Sequence, residues 1–346
     1  MKLSAALMYS GNPREAADQV VQLESAGLDG IWMAEAYGFD SPTLMGYIAA
    51  KTETIEICAG ILNVYSRTPA ALLQTAAGLD NVSGGRAVIG LGASGPQVIE
   101  GFHGLPYANP VGRTREVIDL IRRGLRREPL TSDGIFHLPL TKEYGAVSGV
   151  GKPLKLLTHP ERSSIPLYVA ALGLKSVAGV AEYADGWIPF MFHPEKSASV
   201  WGESLAAGAA KRPETLARLE ITAGGLCAIG EGPETKALLD LVRPFIALYI
   251  GGMGARGKNF YNDLFVQYGY EQEAAEIQDL YLDGKKDEAA ARIPTEFLDA
   301  INLVGPESYV KERIEAFREV GVTNLQITPA AADNAALVAR MKELIG

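Results

Sequence analysis

The sequence predicts an α/β fold of the (β/α)8 barrel class, the TIM barrel, elaborated by insertion segments. Apolar runs of strand character alternate with helix-period segments eight times along the chain. The runs are continuously apolar, as in AVIGLG at 87–92, which is typical of parallel strands covered on both faces. A length of 346 residues suits one such barrel. An open doubly wound sheet also alternates strands and helices but usually has fewer strands, so we expect the barrel.

The repeats follow one another in order along the chain. The predicted strands cover 3–9, 30–36, 55–64, 86–93, 166–172, 187–192, 221–229 and 325–328. The predicted helices cover 42–51, 69–79, 113–127, 176–184, 233–249 and 331–345, with two more beginning at Pro13 and near Lys196. Proline in a first turn and glycine past a last turn, as at Pro13 and Gly27, mark helix ends. Since no linker interrupts the pattern, we predict a single domain over residues 1–346.

Two segments break the alternation. Residues 130–164 form a long excursion with a hairpin expected around Asp133-Gly134, and residues 251–303 form a second, helix-rich one. The barrel pattern resumes after each, so neither is predicted to be a separate domain. Loops of this length on a barrel usually form a lid or a subunit contact.

Composition restricts the classes of partner. A formal net charge of −9 argues against a nucleic acid or an anionic membrane as partner, because either needs a dense basic face. Cys58 and Cys227 each lie in an apolar run and are expected to be buried thiols, which suits a reducing cytoplasm. The apolar run at the amino terminus is too short for a signal peptide, and no run reaches the ~20 residues of a membrane span. We expect a soluble cytoplasmic protein.

Common catalytic motifs do not occur in the sequence. The four histidines, His103, His137, His159 and His193, have no zinc-ligand spacing, and we predict no metal site. There is no GxSxG elbow and no GxxxxGK[ST] loop. The GLGASG stretch at 90–95 follows the fourth predicted strand rather than the first, so it is weak as a dinucleotide motif.

Small and backbone-rich segments lie at the ends of three neighbouring predicted strands. They occupy 60–63, 92–95 and 170–176, and we call these three segments the rim. Ligands of such barrels bind at the carboxyl ends of the strands, where small residues let a planar ligand approach the backbone. Lys175 and Ser176 open a predicted helix, whose free N–H groups favour phosphate. The rim therefore predicts a large flat cofactor with a phosphate at one end.

The sequence resembles the luciferase-like monooxygenase and flavin/deazaflavin oxidoreductase superfamily over nearly its whole length. Five segments carry the resemblance, namely GLDGIWMAE at 27–35, GI at 60–61 with YSRTP at 65–69, LDNVSGGR at 79–86, ADGW at 184–187 and GVTNL at 321–325. Three more resemble the branch that uses the deazaflavin coenzyme F420, namely GPQVIEGFHG at 95–104, RTRE at 113–116 and KNFYND at 258–263. The resemblance implies F420 as cofactor, with FMN as the alternative. It also implies a non-proline cis peptide between Gly60 and Ile61, which would bulge toward the central ring of the coenzyme.

Site residues follow from the rim and the resemblance together. Glu35 is the predicted catalytic residue, which would tune the site electrostatically or relay a proton, with a purely structural carboxylate as the alternative. The predicted cofactor-binding residues are Gly60, Ile61, Leu62, Asn63, Arg67, Gly92, Ala93, Ser94, Gln97, Ala170, Ala171, Leu172, Gly173, Lys175 and Ser176. Arg67 and Lys175 are candidates for the anionic tail. The predicted substrate-facing residues are Tyr9, Tyr37, Phe39, Trp187 and Phe190, whose aromatic rings would enclose an apolar or planar substrate.

One departure from the resemblance concerns the reaction. The F420-dependent sugar-phosphate and alcohol dehydrogenases carry a histidine base directly after the acidic position, where this chain has Ala36. We therefore expect hydride transfer between F420 and a reducible small organic substrate rather than oxidation of a hydroxyl. The alternatives are an FMN-dependent monooxygenase and a non-catalytic cofactor-binding protein. The resemblance also implies a homodimer formed by the early helices.

Overall fold

The computed structural model describes residues 1–7 and 12–346, and its centre is a closed ring of eight parallel strands. In ring order these are β1 (Lys2–Leu7), β2 (Gly30–Met33), β3 (Glu56–Ala59), β5 (Ala87–Gly92), β8 (Leu167–Ala170), β9 (Gly186–Ile188), β10 (Glu220–Ala223) and β13 (Asn324–Pro329). The pairing of Lys2 with Asn324 and of Leu3 with Leu325 closes the ring. The predicted (β/α)8 barrel is confirmed.

Five short strands lie outside the ring. Strand β4 (Leu62–Asn63) pairs with the end of β5, and β11 (Leu226–Ile229) continues the line of β10 after a two-glycine break. Strand β12 (Leu303–Gly305) pairs with β11. Strands β6 (Ser132–Asp133) and β7 (His137–Leu138) form an antiparallel hairpin, where the sequence predicts one.

Eight helices follow the strands of the ring, and seven others lie in the connections of the described chain. The ring helices are α1 (Pro13–Ser25), α2 (Ser41–Ala49), α3 (Pro69–Val82), α5 (Pro110–Leu125), α6 (Leu174–Tyr183), α7 (Pro194–Ala209), α14 (Glu307–Glu319) and α15 (Asn334–Ile345). The others are α4 (Pro96–Gly101), α8 (Pro233–Ala237), α9 (Arg243–Ala247), α10 (Phe260–Gln267), α11 (Glu271–Leu282), α12 (Lys286–Ala291) and α13 (Thr295–Ile301).

The seventh helix of the barrel is not the one that the sequence predicts. The predicted helix 233–249 is broken into α8, a 3-10 turn (Leu238–Leu241), α9 and the start of a π-helical turn (Leu248–Gly252). Pro244 stands in the first turn of α9, where proline begins a helix rather than continues one. The seventh position belongs to α14, which buries Val310, Ile314 and Phe317. Both that helix and strand β12 escaped prediction.

The barrel interior is filled by two large rings below the carboxyl end. Trp32 and Tyr168 lie with ring centroids 5.5 Å apart. Gly186 makes room for them, since a Cβ there would lie 2.4 Å from the Tyr168 ring. The Tyr168 hydroxyl donates to Glu220, and burial together with this carboxylate raises the pKa of Tyr168 far above its ordinary value. The interior of the barrel is therefore filled by packed side chains and is not a pore.

Two aspartates in the segments that carry the resemblance secure the amino ends of strands. Asp29 accepts the Leu3 amide at 2.7 Å and the Lys342 ammonium at 2.7 Å. Asp185 accepts the Leu167 amide at 2.9 Å and an arginine of α5 at 2.9 Å. A carboxylate that takes both a backbone N–H and a cation fixes the start of the neighbouring strand. These residues lie at the end of the barrel opposite the rim.

Asp80 has a related role between α3 and β5. It is fully buried, and its carboxylate receives the Arg162 guanidinium, with the Nε atom 3.0 Å from Oδ1. Arg162 also donates to the Ala87 carbonyl at 2.8 Å. Because Arg162 belongs to the first excursion, this pair fastens the excursion to the barrel.

Three further features of the described chain concern membrane spans, metal sites and the two cysteines. Within residues 1–7 and 12–346, every helix is too short or too polar to cross a bilayer. In the same part of the chain, no three His, Cys, Asp or Glu side chains converge as metal ligands. Both cysteines are buried free thiols.

Candidate active site at the carboxyl ends of the strands

The rim lies on three consecutive strands of the ring, β3, β5 and β8, at their carboxyl ends. The Gly60–Ile61 peptide is cis and stands above the Trp32 ring, to which a Cβ on Gly60 would come within 3.7 Å. The side chain of Ile61 packs on Gly92, where a Cβ would lie 2.8 Å from its Cδ1 atom. Glycine at position 92 is therefore required for this packing of the rim.

The loop after β8 is held from below by two tryptophans. The Ala171 carbonyl accepts from Trp187 Nε1 at 2.9 Å, and the Leu172 carbonyl accepts from Trp201 Nε1 at 2.8 Å. The loop then enters α6 at Gly173, which provides no side-chain cap to the first-turn amides. The Gly173 residue is exposed. An uncapped and accessible helix N-terminus is suited to an anionic group.

The prediction that Trp187 faces a substrate is wrong. Its side chain is fully buried and packs edge-to-face against Trp201, with ring centroids 5.1 Å apart. A buried tryptophan needs a hydrogen-bond acceptor for its indole N–H, and here the carbonyl of Ala171 provides it. Trp187 therefore supports the rim from within the core.

Glu35 and Arg67 form a bidentate ion pair after the second and third strands of the ring. Arg67 Nη1 lies 2.8 Å from Glu35 Oε2, and Arg67 Nη2 lies 2.5 Å from Glu35 Oε1. The same Nη2 lies 2.5 Å from Asp40 Oδ1. Burial alone would raise the pKa of Asp40, but hydrogen bonds from Thr43 and Arg67 lower it. One guanidinium thus serves two carboxylates, and the cluster carries a net negative charge.

Three loops at this end hold a non-glycine residue in the left-handed region. They are Ala36 with φ 42°, Ser94 with φ 55° and Met191 with φ 52°. These residues follow the second, fourth and sixth strands of the ring. The Ser94 carbonyl accepts the Tyr107 hydroxyl at 3.1 Å. Non-glycine residues in this region are uncommon and concentrate at functional sites.

The remaining predicted cofactor residues have varied surroundings. The Leu62 side chain is fully buried, which leaves only its backbone for ligand contact. Asn63 is also buried, and its Oδ1 accepts the Tyr65 amide at 2.7 Å. Ala93 is partly exposed, whereas Gln97 is exposed on α4. Their contact with a cofactor stays a prediction.

Two of the predicted substrate residues lie at the surface of this end of the barrel. Tyr37 is 54% exposed and Phe39 is 74% exposed, both in the loop after β2. Phe190 lies two residues beyond β9 and is partly exposed. Tyr9 lies outside the described residues.

An aromatic group that the sequence analysis did not single out surrounds Phe190. Phe245, Tyr249 and Tyr261 place their ring centroids 5.9, 4.5 and 5.7 Å from that of Phe190. We call these four residues the aromatic wall. In the sequence, three of these aromatic residues flank the glycines at 251–257. A glycine-rich stretch of this kind indicates a loop and gives no sign of an aromatic surface.

Two cavities lie at the amino end of the barrel, away from the rim. One of about 300 Å³ lies between α5 and the end of α6, and the other of about 610 Å³ surrounds Lys2 and the start of β10. In the first cavity Arg115 pairs with Glu182 and Arg122 with Asp185. We place the functional site at the rim because ligands of such barrels bind at the carboxyl ends of the strands.

The fold and the rim define a class, a (β/α)8 barrel enzyme that holds its ligand mainly through backbone at the carboxyl ends of the strands. The sequence model of the luciferase-like monooxygenase family matches residues 1–324. The chain belongs to this family. It is 38% identical over 337 residues to a Mycobacterium tuberculosis (strain H37Rv) protein named as a coenzyme F420-dependent oxidoreductase, with 96% of each chain covered.

Two further similarities extend the comparison. The 5,10-methylenetetrahydromethanopterin reductase of Archaeoglobus fulgidus is 25% identical over 308 residues, which cover 87% of this chain and 85% of the reductase. Among solved structures, the coenzyme F420-dependent tetrahydromethanopterin reductase of Methanopyrus kandleri superposes with a TM-score of 0.79 at 20% identity, covering 99% of this chain and 98% of the reductase. The structural likeness shows the shared barrel fold.

Proposed function

We propose that this chain is a coenzyme F420-dependent oxidoreductase that transfers a hydride between F420 and a small organic substrate. The observation that carries the proposal is the continuity of the rim. Small residues on three adjacent strands lead without a break into the uncapped N-terminus of α6. A flat ring system with a phosphate-bearing tail needs these two features side by side. The names of the M. tuberculosis relative and of the M. kandleri structure both include this coenzyme, which supports the proposal.

The residues present fit such a coenzyme. The Ile61 side chain covers Gly92, so the accessible part of the rim is formed by the partly exposed Gly60–Ile61 peptide, Ala93 and Ala170, which add little side-chain bulk. The first-turn amides of α6, with Ser176 and Lys175, would hold the phosphate. A bound deazaflavin itself donates or accepts the hydride, so the protein supplies binding, orientation and electrostatics.

Glu35 and Ala36 restrict the reaction. Arg67 fixes the Glu35 carboxylate in a bidentate pair, which suits an electrostatic or hydrogen-bond-accepting role beside the site. Ala36 carries no group that could remove a proton from an alcohol. We therefore favour reduction of an unsaturated or otherwise electrophilic substrate.

Titration with two coenzymes tests the proposal. Purified chain is titrated with F420 and, separately, with FMN under anaerobic conditions, and binding is followed by coenzyme fluorescence. We expect F420 to bind at least about tenfold more tightly than FMN, a difference of about 1.4 kcal/mol. Reduced F420 in the complex is then mixed with a panel of enones, quinones and imines, and its reoxidation is followed by absorbance.

Three outcomes contradict the proposal in different ways. Copurification of tightly bound yellow FMN, followed by rapid oxygen consumption on reduction, would establish the monooxygenase alternative. Bound reduced F420 that no acceptor reoxidises would leave a non-catalytic binding protein. Failure to bind F420 at all would remove the coenzyme assignment.

We also propose a homodimer formed through the early helices of the barrel, which the family resemblance implies. In α2, Tyr47 leaves 40% of its surface exposed, and Val82 at the end of α3 leaves 62%. Light scattering at micromolar protein should give twice the mass of the 346-residue chain. A mass of one chain under these conditions would contradict the dimer.

A further inference from the structure

The aromatic wall stands at the carboxyl end of the sixth strand of the ring. Phe190 comes two residues after β9, and its ring meets Tyr249 at 4.5 Å between centroids. Tyr249 in turn meets Phe245 at 4.8 Å and Tyr261 at 4.7 Å. All four side chains stay partly exposed, unlike the fully buried rings deeper in the same insertion. The wall therefore keeps part of its aromatic surface accessible, although Phe190, Phe245 and Tyr261 also pack against the core.

A π-helical turn carries one of these rings, that of Tyr249, and one buried asparagine secures the turn. The turn spans Leu248–Gly252. Asn259 is 1% exposed, and its Nδ2 donates to the carbonyls of Tyr249 and Ile250, both at 2.9 Å. Its Oδ1 accepts the Tyr261 amide at 3.0 Å. One carboxamide thus joins the backbones that carry Tyr249 and Tyr261, and π turns of this kind are frequent at functional sites.

The loop that carries Phe190 is fastened to the same insertion. The Tyr268 hydroxyl donates to the Met191 carbonyl at 3.0 Å and accepts the His193 amide at 3.3 Å. Met191 holds the left-handed conformation that this arrangement requires. Hydrogen bonds therefore hold the backbone on both sides of the wall, which lowers the cost of ordering it around a ligand.

The position of the wall relative to the rim determines which part of a bound ligand it can contact. The rim occupies the third to fifth strands of the ring, the wall stands on the sixth, and the Glu35–Arg67 pair lies at the second and third. A ligand lying on the rim would have the wall along one side.

We propose that the aromatic wall is a preformed specificity surface for a flat, uncharged aromatic or conjugated ring, with Tyr249 and Tyr261 as its contact residues and Asn259 as a positioning residue. The inference rests on the proposed function, since it names the substrate class of that site. Partly exposed rings 4.5–5.7 Å apart offer edges and faces to another planar ring, which packs on them better than a puckered saturated one.

A matched pair of probes tests the wall without depending on coenzyme binding. The wild-type chain is titrated with 2-naphthol and with decahydro-2-naphthol, which share a carbon skeleton but differ in flatness, by calorimetry with and without F420. We expect 2-naphthol to bind at least about tenfold more tightly. Tyr249→Leu and Tyr261→Leu should each weaken 2-naphthol binding about fivefold or more, whereas Tyr249→Phe should stay within twofold.

Asn259→Ala supplies the positioning test. It should reduce the ratio of affinities for the two probes while the dissociation constant for F420 stays within twofold, a selective effect that general loosening of the fold would not give. Equal affinity of the wild-type chain for both probes would overturn the proposal. Displacement of 2-naphthol by F420 would also overturn it, because the probe would then be bound on the rim. Failure of F420 to bind, with selective 2-naphthol binding intact, would instead count against the proposed function alone.

Discussion

Arg67 and Glu35 meet in a bidentate ion pair at the carboxyl end of the barrel, with donor–acceptor distances of 2.8 and 2.5 Å. Only 17% of the arginine side chain and 12% of the glutamate side chain are exposed. From the sequence we expected two separate roles for these residues, an anion-binding cation and a catalytic carboxylate. The structure joins them, and Asp40 shares the same guanidinium.

Replacing Arg67 with methionine should therefore cost stability more than coenzyme binding. The Glu35 carboxylate would lose its partner while remaining largely buried, which we expect to reduce the free energy of unfolding by about 2 kcal/mol. The dissociation constant for F420 should change less than about threefold, because the guanidinium already serves two carboxylates. Urea unfolding and F420 titration measure the two effects. Arg126→Met, which removes an exposed pair with Glu128, is the control and should cost less than about 1 kcal/mol.

Lys175 should show the opposite behaviour. It is exposed in the first turn of α6, beside uncapped amides, and within residues 1–7 and 12–346 it forms no ion pair that its removal would break. Lys175→Ala should weaken F420 binding about fivefold, and the loss should shrink at high salt as the attraction to a phosphate is screened. Lys152→Ala, in the exposed first excursion, is the matched control. Equal F420 affinities of the two variants at low salt would contradict the phosphate position.

Asp80→Asn should destabilise the fold although it lies far from the rim. The substitution leaves the Arg162 guanidinium without its buried counter-charge, and we expect a loss of about 3 kcal/mol in the free energy of unfolding. Asp133→Asn changes an aspartate whose side chain is 94% exposed and should be close to neutral. Chemical denaturation of both variants at pH 7 provides the measurement, and similar midpoints would contradict the anchoring role.

His193 gives the fold a specific pH dependence. Burial lowers the pKa of His193, assisted by Lys196 and Arg313 and opposed by Glu195. As pH falls below about 6.5, the unfolded chain takes up a proton that the folded chain still refuses, so the free energy of unfolding decreases. Above that pH the contribution to stability is complete.

The His193 effect is measured by urea unfolding between pH 7.5 and 5.5. His193→Gln should flatten the decline in midpoint over this range, whereas His159→Gln, at an exposed position, should leave it unchanged. A decline of equal steepness in wild type and His193→Gln would show that other groups cause it.

The order of strands was predictable because continuous apolar runs are a local property of the sequence. Helix seven was not, because the connection after β11 contains six α-helices of its own before α14 begins at Glu307. Several helices compete for one position there, and α14 occupies it by packing on β12 and α7. Periodicity identifies helices but not the layer to which each belongs.

The candidate site likewise combines features that local sequence predicts with contacts that it does not predict. The rim follows from glycine and alanine at strand ends, which the sequence displays directly. The pairing of Glu35 with Arg67 joins positions 32 residues apart, and the burial of Trp187 depends on Trp201 and Phe192. Such contacts between distant side chains leave no periodic signal, so the sequence could name the residues but not their partners.

A crystal structure of the chain with F420 tests the central claim most directly. We predict that the ring system lies on the rim beside the Gly60–Ile61 peptide and that a tail phosphate accepts hydrogen bonds from the first-turn amides of α6, close to Ser176. Density for the coenzyme at the amino end of the barrel, or a rim closed by the chain's own side chains when F420 is present, would contradict the account.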